Sequence, residues 1–227
     1  MTSLTSAPIS VLLIDDHVVV RSGLRMLIES EPGLKVVGEA GDRAEGLAVA
    51  AREQPDVIIL DIDLGGDNGL DFLPELVSAA SGSRILVLTG VPDPRQHRRA
   101  LSMGVMGLVL KDKAAGILIN AIKKVHGGEV WLDQATMVSA LAKTPPVSEA
   151  GKGDPEAEKI ATLTRREREV LGLVAQGLTN QQIAEQLFIS LATARHHVEA
   201  LYSKLGLSSR LQLILYAYKH GLASPPP

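Results

Sequence analysis

The feature that most constrains this chain of 227 residues is a repeated alternation in its first half. Five short runs, Ser10–Asp15, Lys35–Ala40, Asp56–Asp61, Arg84–Thr89 and Gly107–Lys111, are rich in Val, Ile and Leu. They lack the strict polar–apolar alternation of a half-exposed strand, so they suit parallel strands covered on both faces. Between them, His17–Glu29, Asp42–Glu53, Gly69–Ser78, Pro94–Ser102 and Ala114–His126 have helical period. Five strand–helix repeats predict an α/β doubly wound, five-stranded parallel sheet.

The pattern then changes. Thr144–Glu158 is rich in Pro, Gly, Ala and charge and reads as a linker. Beyond it only helices are predicted. Thr164-Arg165-Arg166-Glu167 and Thr179-Asn180-Gln181-Gln182 are capping boxes at helix starts. Ser190 caps a third helix running to about Leu205, and Arg210–His220 forms a fourth. The second half is therefore a small all-α domain.

Charge divides along the same line. Residues 1–143 carry 14 Lys and Arg against 18 Asp and Glu, whereas residues 159–227 carry 8 against 4. Only the C-terminal part is suited to a polyanion. Cysteine is absent, which excludes disulfides, thiolate metal sites and cysteine catalysis and fits a reducing cytosol. No run of eighteen apolar residues predicts a membrane span, and Met1–Pro8 lacks the pattern of a signal peptide. The expectation is a cytoplasmic protein with no membrane partner.

Ligands of a doubly wound sheet sit beyond the carboxyl ends of the strands, where the strand order reverses. Asp15 and Asp16 close the first strand and Asp61 closes the third. With the strand order 2-1-3-4-5, these strands are neighbours and the three carboxylates converge. Mutual repulsion is relieved by a hard cation, and Mg²⁺ prefers a few carboxylates with water and phosphate oxygens. Asp61 is then placed to act as a nucleophile toward a phosphoryl group. Thr89 and Lys111 end the fourth and fifth strands and offer a hydroxyl and a positive charge to the phosphoryl oxygens.

Asp15-Asp16-His17, Asp61-Ile62-Asp63-Leu64-Gly65-Gly66, Thr89-Gly90 and Gly104…Leu110-Lys111-Asp112 resemble the receiver domain of two-component response regulators, a flavodoxin-like fold. The resemblance implies phosphorylation of Asp61 by a histidine kinase. It also implies Mg²⁺ on Asp15, Asp16, Asp61 and the main-chain carbonyl of Asp63, with Thr89 and Lys111 on the phosphoryl group. The chain departs from the family twice. Leu64-Gly65 replaces Met-Pro, which predicts a less rigid loop. Leu108 stands where the family has Tyr or Phe, which removes the usual threonine–aromatic coupling.

Leu163–Leu222 resembles the LuxR-type helix-turn-helix of the NarL/FixJ class. The residues support this independently. Ala194, Val198, Leu201 and Leu205 give the third helix a buried stripe. The opposite face carries Arg195, His196, Glu199 and Ser203 and is the candidate for the major groove. Arg195 can pair with guanine O6 and N7, His196 can donate to a base or phosphate, and Glu199 can accept from cytosine N4. Thr179, Asn180, Thr193 and Lys204 are candidate phosphate contacts. Arg210–His220 is apolar enough to be a core helix, and the resemblance implies that it also pairs two DNA-binding domains. The resulting division is a receiver at 1–130, a linker at 131–160 and a helix-turn-helix domain at 161–227. Its expected function is a non-enzymatic transcription regulator of promoter double-stranded DNA that dimerises when phosphorylated.

Three rivals are weaker. A haloacid-dehalogenase-like phosphatase needs Thr or Val where Gly65 stands and opens on its Asp-x-Asp motif. An acyl-homoserine-lactone pocket needs several Trp and Tyr residues, and Trp131 is the only Trp. A receiver-like domain working without phosphate is the remaining alternative, given Gly65 and Leu108.

Overall fold

In a computed structural model the described residues are 7–90, 93–132, 155–207 and 209–223. They fall into two compact units, one from residues 1–93 and 105–127, the other from residues 94–104 and 128–227. Each unit is described by itself.

The first unit is built on strands β1 (Ile9–Ile14), β2 (Leu34–Ala40), β3 (Val57–Asp61), β6 (Arg84–Thr89) and β7 (Gly107–Leu110). They form one parallel sheet in the order β2-β1-β3-β6-β7, which is the expected order with the small strands left out. Helices α1 (Val18–Glu29), α2 (Arg43–Glu53), α3 (Leu73–Ala79) and α5 (Ala114–His126) belong to the same unit. Val11, Leu12, Leu13, Val57, Ile58, Leu60, Leu86 and Val87 lose all solvent exposure, as continuous apolar strands require.

Two local features differ from the sequence reading. A two-stranded antiparallel hairpin, β4 (Asp63–Leu64) with β5 (Asp67–Asn68), follows β3. Gly65 and Gly66 form its two-residue turn with φ of 65° and 113°, a left-handed pair that a tight hairpin favours. The Leu64-Gly65 pair lies in this hairpin, with Leu64 buried. The predicted helix Gly69–Ser78 divides into a 3₁₀ turn (Gly69–Phe72) and α3. The turn is fixed because the Gly69 N–H donates to the Ile62 carbonyl and Asn68 caps the Leu70 N–H.

The second unit contains α4 (Pro94–Ser102), α6 (Pro155–Ala161), α7 (Arg165–Ala175), α8 (Asn180–Gln186), α9 (Leu191–Leu205) and α10 (Arg210–Lys219). Helix α4 follows β6 in the chain and is counted in this unit. Of the stretch 131–160 expected as a linker, residues 133–154 lie outside the described residues and Pro155–Ala161 is helical. Partly buried Ile160 of α6 packs on the C-terminal core of Val170, Leu171, Val174, Ile183, Val198, Leu201 and Leu213, which gives this polar segment a reason to fold. Both capping boxes form, and Ser190 caps α9. Helix α10 buries Leu211, Leu213, Ile214, Tyr216 and Ala217, as the core-helix reading expected.

Candidate functional site

The register Ile14↔Leu60 brings the tips of β1 and β3 side by side. One ligand atom each from Asp15, Asp16, His17 and Asp61 lies within 4.8 Å of the others. The three predicted carboxylates are therefore together, and His17 joins them. Its Nδ1 is 2.7 Å from Asp16 Oδ1 and 3.4 Å from Asp15 Oδ1. Asp15 and Asp61 are each only 2% exposed, so their charges are held largely out of water.

Lys111 provides the counter-charge. Its Nζ lies 2.6 Å from both Asp15 Oδ2 and Asp61 Oδ2. Burial pushes the Asp61 carboxyl above its ordinary pKa. Lys111 pulls it down by hydrogen bond and charge, Asp15 pushes it up, and the Asp63 N–H steadies the ionised form. Burial lowers the Lys111 pKa, but its bonds to Asp15 and Asp61 outweigh this and hold it raised. Thr89 is buried at the end of β6, one place beyond the pair Asp61↔Leu88. Leu108 is buried in β7 opposite Val87. Asp63 has an exposed side chain at the start of β4.

Asp61 Oδ1 is buried with no hydrogen-bond partner. An unpaired anionic oxygen beside two more carboxylates is what a hard divalent cation satisfies, so the residues fit Mg²⁺. Two further residues shape the site. Gly69 passes so close that a Cβ there would lie 2.1 Å from the Asp61 carbonyl oxygen. Arg21 Nη1 donates to the Asp15 carbonyl and so fixes the tip of β1. The sequence signalled His17 by its place after Asp15-Asp16, but gave no signal for Arg21.

In the second unit, α9 buries Ala194, Val198, Leu201 and Leu205, the predicted stripe. Thr193, Arg195, His196, Glu199 and Ser203 are exposed. The four candidate phosphate contacts have partners within the fold. Thr179 caps α8 through the Gln182 N–H, and Asn180 Oδ1 accepts from Arg210 Nη1. Thr193 Oγ1 is 2.8 Å from Ser190 Oγ. Lys204 Nζ is 2.7 Å from Glu167 Oε2 and also donates to the Thr162 carbonyl, so its charge is largely spent inside the domain. Phe188 in the turn before α9 is 95% exposed with φ of 53°.

A buried aspartate beside an acidic pair and a lysine at the switch point of a parallel sheet, with a capped helix-turn-helix in the same chain, defines a receiver-containing DNA-binding protein. Residues 11–123 match the response regulator receiver domain, and residues 161–217 match the bacterial regulatory proteins of the luxR family. The DNA-binding transcriptional activator DevR/DosR of Mycobacterium tuberculosis is 37% identical over 96% of this chain and 98% of its own length. The nitrate/nitrite response regulator protein NarL of Escherichia coli is 34% identical over 93% and 96% of the two chains. The solved structure of the response regulator RcsB–DNA complex is 25% identical and covers 93% of this chain and 98% of that one, with a TM-score of 0.53. The chain belongs to the response regulators that join a receiver to a luxR-type DNA-binding domain, and it is a DNA-binding transcriptional regulator.

Proposed function

We propose that Asp61 is the phosphoacceptor and that its phosphorylation controls DNA binding by α9. The observation that carries this reading is the buried Asp61 carboxylate, with one oxygen on Lys111 and the other unpaired beside Asp15 and Asp16. An Asp61 oxygen attacks the phosphorus of a phosphohistidine on a partner histidine kinase, or of a small acyl phosphate. The new O–P bond forms as the donor's P–N or P–O bond breaks, and the donor group leaves with the electron pair. Asp15, Asp16, Asp61 and the Asp63 carbonyl would hold Mg²⁺, which neutralises charge on the phosphoryl oxygens. Lys111 shifts its hydrogen bond from the carboxylate to a phosphoryl oxygen, and Thr89 donates its hydroxyl to another.

The chain acts as a stoichiometric acceptor rather than an enzyme, and it works in the cytoplasm. Among the described residues no helix is long and apolar enough to cross a membrane. The receiver spans 1–130, and after a linker the DNA-binding domain begins at α6 (Pro155–Ala161), whose Ile160 packs on its core. Arg195, His196 and Glu199 read bases in the major groove, while Thr179, Asn180 and Thr193 face phosphates and Lys204, tied to Glu167, serves the fold. The phosphorylated protein binds promoter DNA as a homodimer on two symmetric half-sites. The complete set of acids with Lys111 and Thr89 favours this over a receiver-like domain that works without phosphate.

The test is intact-protein mass after treatment with acetyl phosphate and Mg²⁺. One phosphoryl mass is gained by the wild type and lost in Asp61→Asn. An unchanged gain in Asp61→Asn refutes the assignment.

A further inference from the structure

Arg210 has no place in the reading above, and its surroundings are unusual. It is the first residue of α10 and is 7% exposed. Burial lowers its pKa, which the nearby Tyr202 and Glu129 oppose. Among the described residues its hydrogen bonds run to neutral oxygens, Nη1 to Asn180 Oδ1 at 3.0 Å and Nη2 to the Leu178 carbonyl, and Nε has no partner there. A buried cation with no carboxylate hydrogen-bonded to it among the described residues costs stability, and replacement by an apolar residue is often neutral or better. Something other than stability is served by keeping it.

The geometry at Asn180 supplies the reason. A guanidinium donates and cannot accept, so the Asn180 amide must turn Oδ1 toward Arg210. Its Nδ2 then faces away. That nitrogen makes no hydrogen bond within the described residues and is not among the buried unpaired atoms, so it is open to solvent. Without Arg210 the amide can rotate, and a phosphate meets the acceptor oxygen as readily as the donor nitrogen. Arg210 also ties Leu178 and Asn180, at the start of α8, to α10.

We infer that Arg210 is a positioning residue for DNA binding: it locks the Asn180 amide with its NH₂ group outward, ready to donate to a DNA phosphate. This rests on the reading of Asn180 as a backbone contact. The lock also makes that contact depend on the seating of α10, the helix that the family resemblance gives to dimerisation.

The test is a double-mutant cycle on the full chain with Asn180→Ala, Arg210→Met and the pair. Affinity for a random-sequence DNA duplex is read by fluorescence anisotropy, and folding by thermal melting. Asn180→Ala weakens binding about fivefold, the worth of one hydrogen bond to a charged or neutral acceptor. Arg210→Met weakens it by a similar factor in the wild type and by almost nothing in the Asn180→Ala background. Equal effects of Arg210→Met in both backgrounds overturn the proposal and leave Arg210 a structural residue. An Asn180→Ala protein that binds as the wild type overturns the backbone-contact reading itself, and the proposal falls with it. Asn180→Asp serves if Arg210→Met fails to fold. Its carboxylate gives the buried cation a partner, so melting temperature rises while DNA affinity falls below that of Asn180→Ala. A melting temperature that does not rise, or DNA affinity at the wild-type level, refutes the lock.

Discussion

Replacing Lys111 with Met tests the electrostatics of the acidic site. Lys111 Nζ is 2.6 Å from oxygens of both Asp15 and Asp61, and both carboxylates are buried. Methionine keeps the length of the chain and removes the charge, so two anions face each other without a cation. Breaking a buried pair by removing one partner costs about 3–5 kcal/mol. The Lys111 side chain is 20% exposed, which places this case at the low end. The expected loss is about 3 kcal/mol, or about 12 °C in melting temperature at about 4 °C per kcal/mol for a domain of this size. The assay is thermal melting in EDTA, followed by circular dichroism. The sign with pH is fixed. Burial raises the folded-state pKa of Asp61, and loss of Lys111 raises it further. The folded state then binds a proton more tightly than the unfolded chain. Stability is retained below the unfolded pKa and lost as pH rises through the folded one. The defect of Lys111→Met is therefore smaller at pH 5 than at pH 8. Asp61→Asn added to Lys111→Met recovers most of the loss, and Mg²⁺ stabilises Lys111→Met more than it does the wild type. Undiminished stability of Lys111→Met in EDTA, or no recovery in the double variant, refutes the reasoning.

Three other outcomes follow from the same structure. Gly69→Ala puts a methyl group 2.1 Å from the Asp61 carbonyl oxygen, so urea denaturation should show a loss of about 1–3 kcal/mol and acetyl phosphate should label Asp61 more slowly. Burial would raise the Glu167 pKa, but the Lys204 bond and the Thr164 donors outweigh it and hold it below the ordinary value. Its contribution is present above the unfolded pKa and lost as pH falls through the folded one; Glu167→Ala removes about 2 kcal/mol at pH 7 and flattens the acid limb of the melting profile. Glu199 is exposed on α9 and repels phosphates, so Glu199→Lys should tighten binding to random DNA and steepen the salt dependence of log K by about 1, as read by anisotropy titrations.

The sheet was legible because buried parallel strands leave unbroken apolar runs, and all five appear within one residue of their expected starts. The acids were legible because a doubly wound topology fixes which strand tips meet. The β4–β5 hairpin was not, since two residues per strand are too few to show a period. The Gly65-Gly66 pair was its only signal, and the chain was compared there with a family that has Pro. Arg21 escaped because its partner is the Asp15 carbonyl, and main-chain acceptors leave no mark in a sequence. The recognition helix was legible from its stripe of Ala194, Val198, Leu201 and Leu205. The state of the flanking polar residues was not. Asn180 and Lys204 meet Arg210 and Glu167, which lie 30 and 37 residues away along the chain. Helix α6 showed no apolar period, and Ile160 alone is too little to distinguish a short helix from a linker.

The relation between the acidic site and the DNA-reading face is measured most directly by DNA affinity with and without phosphoryl transfer. The full chain, with and without acetyl phosphate and Mg²⁺, is titrated onto a duplex selected by the protein itself. Phosphorylation should raise affinity in the wild type, with no change in Asp61→Asn treated identically. Equal affinity of the wild type in both states, alongside a demonstrated phosphoryl mass on Asp61, contradicts the coupling. An equal gain in Asp61→Asn contradicts the role of that carboxylate.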